Sequence, residues 1–170
     1  MKTNKLLLLS VLMTLASISF AQRADVTEIN GTFGKEAHPA LATKVMFSDA
    51  KTVTKEFLNL LKTYNPLSIT NKKGLIFADD ARIPALSDNP VDVYATINQP
   101  KGIEDVEVVV SFYLGGNVYI SSSVAPTQYQ TAYGMIKTFA NNLTEANHNS
   151  LLQAAGKALD KEEKKLASLE

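Results

Sequence analysis

The chain has 170 residues, with 17 lysines and arginines against 17 aspartates and glutamates, and neither cysteine nor tryptophan. That balance gives no electrostatic pull toward nucleic acid or an anionic membrane, and a chain without cysteine has no disulfides and no lipid-modified cysteine. The apolar share of 45% is that of an ordinary globular protein held together by its core alone.

The first element, "MKTNKLLLLSVLMTLASISFAQ", has the order of a secretory signal peptide. Lys2 and Lys5 give the positive start, Leu6 to Ile18 the apolar run, and Ser19 and Ala21 the small residues of a cleavage site after Ala21. A membrane anchor would need a run of roughly 20 apolar residues, longer than this one. The expected organisation is therefore a signal peptide over 1–21, an α+β domain over 22–150 and a charged C-terminal helix over 151–170. Loss of Lys2 and Lys5 leaves a slightly acidic mature chain with no membrane span, placed in the periplasm or secreted. About 150 residues remain, enough for one domain with its own core.

Two weak strands come next, "VTEINGTFG" and "ALATKVMF", with "GKEAHP" between them as a turn. "SDAKTVTKEFLNLLKTYNP" is the clearest helix. Ser48 or Asp49 caps it, Val53, Phe57, Leu60, Leu61 and Tyr64 form one apolar stripe, and Asn65-Pro66 stops it. A strand follows in which Leu75, Phe77, Ala81 and Ile83 share a face that also carries Asp79. Val91, Val93, Ala95 and Ile97 alternate with Asp92, Tyr94, Thr96 and Asn98 in the next, and Val106, Val108, Val110, Phe112 and Leu114 do the same in a third. Gly115-Gly116 supplies a tight turn, and "NVYISSS" is the returning strand.

Pro126 suits the first turn of a helix whose stripe is Tyr129, Ala132, Tyr133, Ile136, Phe139, Ala140 and Leu143. "NHNS", Asn147 to Ser150, interrupts this pattern, leaving one long helix or two short ones. Leu152, Ala155, Leu159, Leu166 and Leu169 then fall at alternating steps of three and four, broken by Glu162, as a short imperfect heptad seam. The economical architecture is α+β in two layers, an antiparallel sheet with helices on one face and a long C-terminal helix.

Chemistry-bearing residues are few. Asp79, Asp80, Asp88 and Asp92 lie close in sequence, but a hard cation needs several oxygens converging on one point. Adjacent Asp79 and Asp80 diverge on a regular strand. Asp88 suits the turn "SDNP", bonding nearby backbone N–H groups, and Asp92 can pair with Arg82 across a hairpin. The structural use of these residues outweighs a metal site, with Asp79, Asp80 and Asp92 as the weak metal candidates. Asp79 stands apart, on an apolar face unless the strand ends or bulges there. His38 falls in the predicted turn and His148 in the polar break, without zinc-site spacing. Ser121 to Ser123 have no base implied beside them, and no catalytic motif or cofactor-binding signature occurs. Tyr94 and Tyr113, joined by Tyr119, mark the polar face of the sheet and are the ligand-binding candidates. An open face makes them a surface for a partner or a sugar, and a helix over them makes them cross-strand pairs. The covered reading is the expected one.

"ADDARIPALSDNPVDVYATI" and "VSFYLGGNVYISS" resemble a family of exported proteins of Bacteroidetes-type bacteria with no assigned activity. Its segment reads D-[ND]-A-x-I-P-x-[LI]-S-x-N-x-V-D-V-Y-A and is matched at Asp79, Ala81, Ile83, Pro84, Ser87, Asn89, Val91, Asp92 and Tyr94. The strand and turn that follow are matched at Phe112, Leu114, Gly115 and Gly116. The resemblance spans about Lys72 to Leu169, implies export and one fold, and carries over no catalytic residue. Such relatives often continue into a Lys/Glu-rich coiled coil, which "ALDKEEKKLASLE" begins and does not extend.

The expectation is a non-catalytic exported module, using its C-terminal helix to bind another envelope protein or a second copy. The alternatives are a binder of a small apolar molecule between the sheet and the Tyr129–Leu143 helix, or a metal-assisted hydrolase using the aspartates. No cofactor is expected.

Overall fold

The structure, a computed structural model, describes residues 24–168. The expected signal peptide over 1–21 and its cleavage site, together with Leu169 of the expected heptad seam, lie outside the described residues. Strands β1 (Val26–Phe33) and β2 (Glu36–Val45) are followed by helix α1 (Ala50–Thr63), then β3 (Ser68–Lys72), β4 (Leu75–Ala81), β5 (Val91–Asn98), β6 (Val106–Tyr113) and helix α2 (Pro126–Ala167). The six strands form one sheet in the order β1-β2-β6-β5-β4-β3, antiparallel at every pairing. Both helices pack on the same face, α1 over β5 and α2 over β2 and β1.

Periodicity explains most of this core. In β5 and β6 the residues Val91, Val93, Ala95, Val106, Val108 and Val110 are completely buried against the helices. From α1 come Val53, Phe57 and Leu61, and from α2 Ala132, Ile136 and Ala140. Phe57 meets Phe139 edge to face, with ring centroids 5.4 Å apart. Asp49 caps α1, its carboxylate accepting from Thr52 N–H at 3.0 Å and Thr52 Oγ1 at 2.7 Å. Pro126 occupies the first turn of α2, where a missing N–H costs nothing.

Three points differ from what the sequence pattern suggests. First, β4 buries Ile76 and Ala78 in the helix-covered core, so Phe77 points to the other face. A bulge between Ala78 and Ala81, with Asp80 at φ 52°, resets the parity and returns Ala81 to the core. Counting alternate residues back through it put Leu75, Phe77 and Asp79 on the wrong face, while Ala81 and Ile83 are in the core as expected. Second, β3 pairs with β4 through Lys73-Gly74, both at positive φ, a two-residue turn without the usual Asn-Gly signal. Third, the expected return strand after Gly115-Gly116 shrinks to a single bridge between Tyr113 and Tyr119. Of the two alternatives for the C-terminal segment, one long helix or two short ones, the structure has the long helix, with α2 unbroken through Asn147 to Ser150.

The first hairpin also differs. Its turn is only Gly34-Lys35, so Glu36 to Pro39, read as turn, belong to β2. Pro39 is tolerated because its carbonyl accepts from Ser111 Oγ of β6 at 2.7 Å. Its nitrogen points to that same side, beyond the last β2–β6 partners Leu41 and Val110, where no ladder bond is needed.

Past that point β1 and the start of β2 curl back over the second face of the sheet. Gly31 comes close to Val109 of β6, the tip at Gly34 reaches Leu75 of β4, and Phe33 lies 6.2 Å from Tyr94 of β5. A second, smaller core of Phe33, Ala40, Ala42 and Val109, edged by Leu75 and Tyr94, fills the space underneath.

Candidate functional site

The chemistry that the chain offers gathers where this folded hairpin meets the ends of β5 and β6. His38, buried on β2, stacks face to face on Tyr119 with centroids 4.0 Å apart and lies 5.9 Å from Tyr94. The Tyr119 hydroxyl is 3.3 Å from His38 Nε2. With the rings nearly parallel, that oxygen sits over the imidazole rather than in its plane, so stacking dominates the contact. Tyr113 closes on Tyr119 at 4.9 Å and Phe77 on Tyr94 at 4.8 Å. The Tyr113 hydroxyl accepts from Asn117 N–H at 3.2 Å, tying it to the glycine turn.

Neither helix covers this cluster, contrary to expectation. Tyr94, Tyr113 and Tyr119 are half-buried, roofed in part by the hairpin tip and open at the margin. The sequence placed all three on one face correctly and missed His38 and Phe33. Gly34 and Pro39 made that stretch look like a loop. The signal lay in Phe33 and His38 standing five positions apart around a two-residue turn, which puts them diagonally on one face of the hairpin.

Carboxylates flank the rings. Asp92 stands opposite Tyr113 in the β5–β6 register, and Glu36 approaches His38 Nε2 at 3.4 Å. Burial pushes the Tyr94 phenol above its ordinary value, helped by Asp92 and Glu36. It does the same for Tyr119, helped by Glu36 and then, more weakly, Asp92. Both carboxylates thus act on the same two tyrosines.

The bulge brings Asp79 and Asp80 together, contrary to the divergence of a regular strand. One carboxylate oxygen from each of Asp79, Asp80 and Asp92 falls within 4.8 Å of the others. Asp92 Oδ1 accepts the Asp80 N–H at 3.0 Å, so this side chain satisfies the bulge rather than pairing with Arg82. Asp79 is half-exposed on the second face, not buried in the core, and Asp80 is exposed. None of the three lies within ion-pair distance of a lysine or arginine among the described residues. As oxygen donors they are of the type that hard cations take, yet three carboxylates fall short of a full ligand set.

The remaining candidates are structural. Asp88 lies in the Ser87–Asn89 turn, which is closed by Ser87 Oγ accepting from Asn89 N–H at 3.0 Å rather than by the aspartate. Ser121 Oγ is buried, accepts from Val124 N–H at 3.1 Å and contacts Ser123 Oγ at 3.3 Å, shaping the entry to α2. Ser122 N–H donates to Glu28 at 3.0 Å. His148 is on α2, tilted against Phe47 at 5.4 Å, in the helix layer and away from His38.

Two further surfaces stand out. The interface between α2 and the sheet is filled by Ala132, Ile136 and Ala140, and an open groove runs between α1 and α2. This groove, about 720 Å³, is lined by Leu60, Tyr64, Met135, Phe139 and Leu143 among others. The Thr144 hydroxyl accepts from Met46 N–H at 3.1 Å and His148 still rests on Phe47; beyond that turn α2 leaves the body. Leu151, Leu152 and Leu166 are 53%, 41% and 66% exposed there. No family model, no curated protein and no solved structure matches the chain.

Proposed function

We propose that the chain is an exported, non-catalytic module of a bacterial envelope that associates with another protein, or a second copy, through the free half of α2. The observation that carries this reading is the length of helix that has no neighbour among the described residues. From Leu151 to Ala167 it extends about 25 Å, with Leu152, Ala155, Leu159 and Leu166 along one side. Its Ala, Leu, Lys and Glu residues favour helix, but a stretch of this length standing alone in water is marginal and is stabilised further by a neighbour against its apolar stripe. The "MKTNKLLLLS…" leader supports export, into the periplasm or beyond, and N-terminal sequencing of exported protein should begin at Gln22.

Light scattering on the mature chain, with pull-down from an envelope extract, tests the association. Removing Ala154 to Glu170 should leave circular dichroism of the body intact and abolish the assembly or the capture. Identical masses and identical captured proteins with and without those residues would refute it.

The groove between α1 and α2 favours a second reading, a small apolar ligand held by Met135, Phe139, Leu60 and Leu143. Native mass spectrometry of protein from its host would reveal a co-purifying adduct, and repeatedly bare chain would count against it.

A further inference from the structure

We infer that the tyrosine cluster at the margin of the second face is a binding site for an arginine side chain presented by a partner polypeptide. This site is separate from the free half of α2, and either can fail while the other stands.

The cluster offers two kinds of group. Tyr113 and Tyr119 have ring centroids 4.9 Å apart with planes tilted by 45°, and Tyr94 with Phe77 at 4.8 Å continues the aromatic surface. Glu36 and Asp92 border it, with Asp79 and Asp80 next to Asp92. Among the described residues, the one ion-pair contact these four carboxylates make is between Glu36 and His38, and it carries charge only when the imidazole is protonated. Lys35 in the hairpin turn and Arg82 after the bulge are sequence neighbours of the acids, and neither pairs with them. Lys44 sits at the other end of β2, against Asp105 at 3.9 Å.

Charge decides among the occupants. An anionic partner is repelled, and an apolar one would strip water from carboxylates and leave them unpaired, which is costly. A cation satisfies rings and carboxylates together. Guanidinium fits better than ammonium, because it is planar, stacks on tyrosine and bonds a carboxylate through two parallel N–H groups. The rings are half-exposed at a surface rather than lining an enclosed cavity, so a free small cation would stay largely hydrated there. A polypeptide can cover the rest of the patch around its arginine.

The test uses the full mature chain and a short unstructured peptide with one central arginine flanked by serine and glycine, followed by calorimetry and by tyrosine fluorescence at low salt. The chain has no tryptophan, so tyrosine emission is readable directly. The arginine peptide should bind and perturb that emission, weakening as salt rises. Asp92→Asn keeps an acceptor oxygen for Asp80 N–H while removing the charge, so the bulge survives. This variant and Glu36→Gln should each weaken binding by about tenfold. Removing Ala154 to Glu170 should change nothing. The proposal is overturned if the glutamine version of the peptide binds equally well, if the Asp92→Asn/Glu36→Gln double variant keeps wild-type affinity while folded, or if no peptide binds. Free arginine binding as tightly as the peptide would overturn the polypeptide as occupant.

Discussion

Gly31 is the position at which the folded hairpin leaves least room. A Cβ placed there would lie 2.9 Å from Ala40 Cβ, 3.0 Å from Phe33 Cε2 and 3.0 Å from Val109 Cγ1. The Phe33 ring could swing away, but Ala40 Cβ is fixed to the backbone of β2 and Val109 is 6% exposed in the middle of the sheet. Gly31→Ala must therefore lift the tip of the hairpin or shift β2, an overpacking that costs about 1–3 kcal/mol. Gly134→Ala is the matched control, since a Cβ on that exposed residue of α2 meets nothing within 4 Å. There the change should stabilise by about 0.5–1 kcal/mol through helix propensity. Urea unfolding of both variants gives the magnitudes, and near-ultraviolet circular dichroism reports the tyrosines beneath the tip. Opposite signs are expected, with the tyrosine signal altered in Gly31→Ala alone. A Gly31→Ala protein as stable as wild type with an unchanged tyrosine spectrum would refute the close packing of this hairpin on the second face.

Ile136→Ala should destabilise by about 2–5 kcal/mol, because that side chain is only 2% exposed between α2 and the sheet; a loss below 1 kcal/mol would contradict a fully packed interface. At alkaline pH, Tyr94 and Tyr119 hold their protons above the ordinary value because of burial first and neighbouring acids second. Their contribution to stability is intact below the unfolded-state value near 10.0 and lost as pH rises through the higher folded values. Tyrosinate absorbance should thus appear later in the folded than in the urea-unfolded chain, and Asp92→Asn should reduce the delay; coincident curves would dismiss the electrostatic account. In acid the sign reverses for Asp49, whose pKa is lowered by Thr52. Its cap stabilises above the unfolded value near 3.8 and stops doing so as pH falls through the lower folded one. Asp49→Ala should accordingly lower the melting temperature at neutral pH and make no difference in strong acid. Asp80→Gly should be tolerated at φ 52°, while Asp80→Val should cost about 1–2 kcal/mol of left-handed strain; equal melting curves would argue against the bulge.

The helices and the central strands were legible because their burial repeats with the period of the element. Val53, Phe57 and Leu61 each point to the sheet whatever else the chain does, and Val91, Val93 and Ala95 point to the helices. The long C-terminal helix was legible for the same reason, although polar Asn147 to Ser150 looked like a break. Asn147 and His148 are only partly buried at the edge of the body, where His148 meets Phe47, so the helix continues there without an apolar stripe. β4 failed because a bulge adds one residue and reverses every face beyond it, and no local propensity marks where that happens.

Composition and local pattern by themselves determined the fold class, the helix stripes, a cap at Ser48 or Asp49 and the grouping of Tyr94, Tyr113 and Tyr119 on one side of the sheet. Only the tertiary structure decided which face the helices cover, that His38 and Phe33 join those tyrosines, and that Asp79, Asp80 and Asp92 converge beside them. The physical reason is range. Capping and amphipathic periodicity act within a few residues, whereas the curl of the first hairpin over β6, β5 and β4 depends on small Gly31 and Ala40 meeting Val109 some seventy positions away.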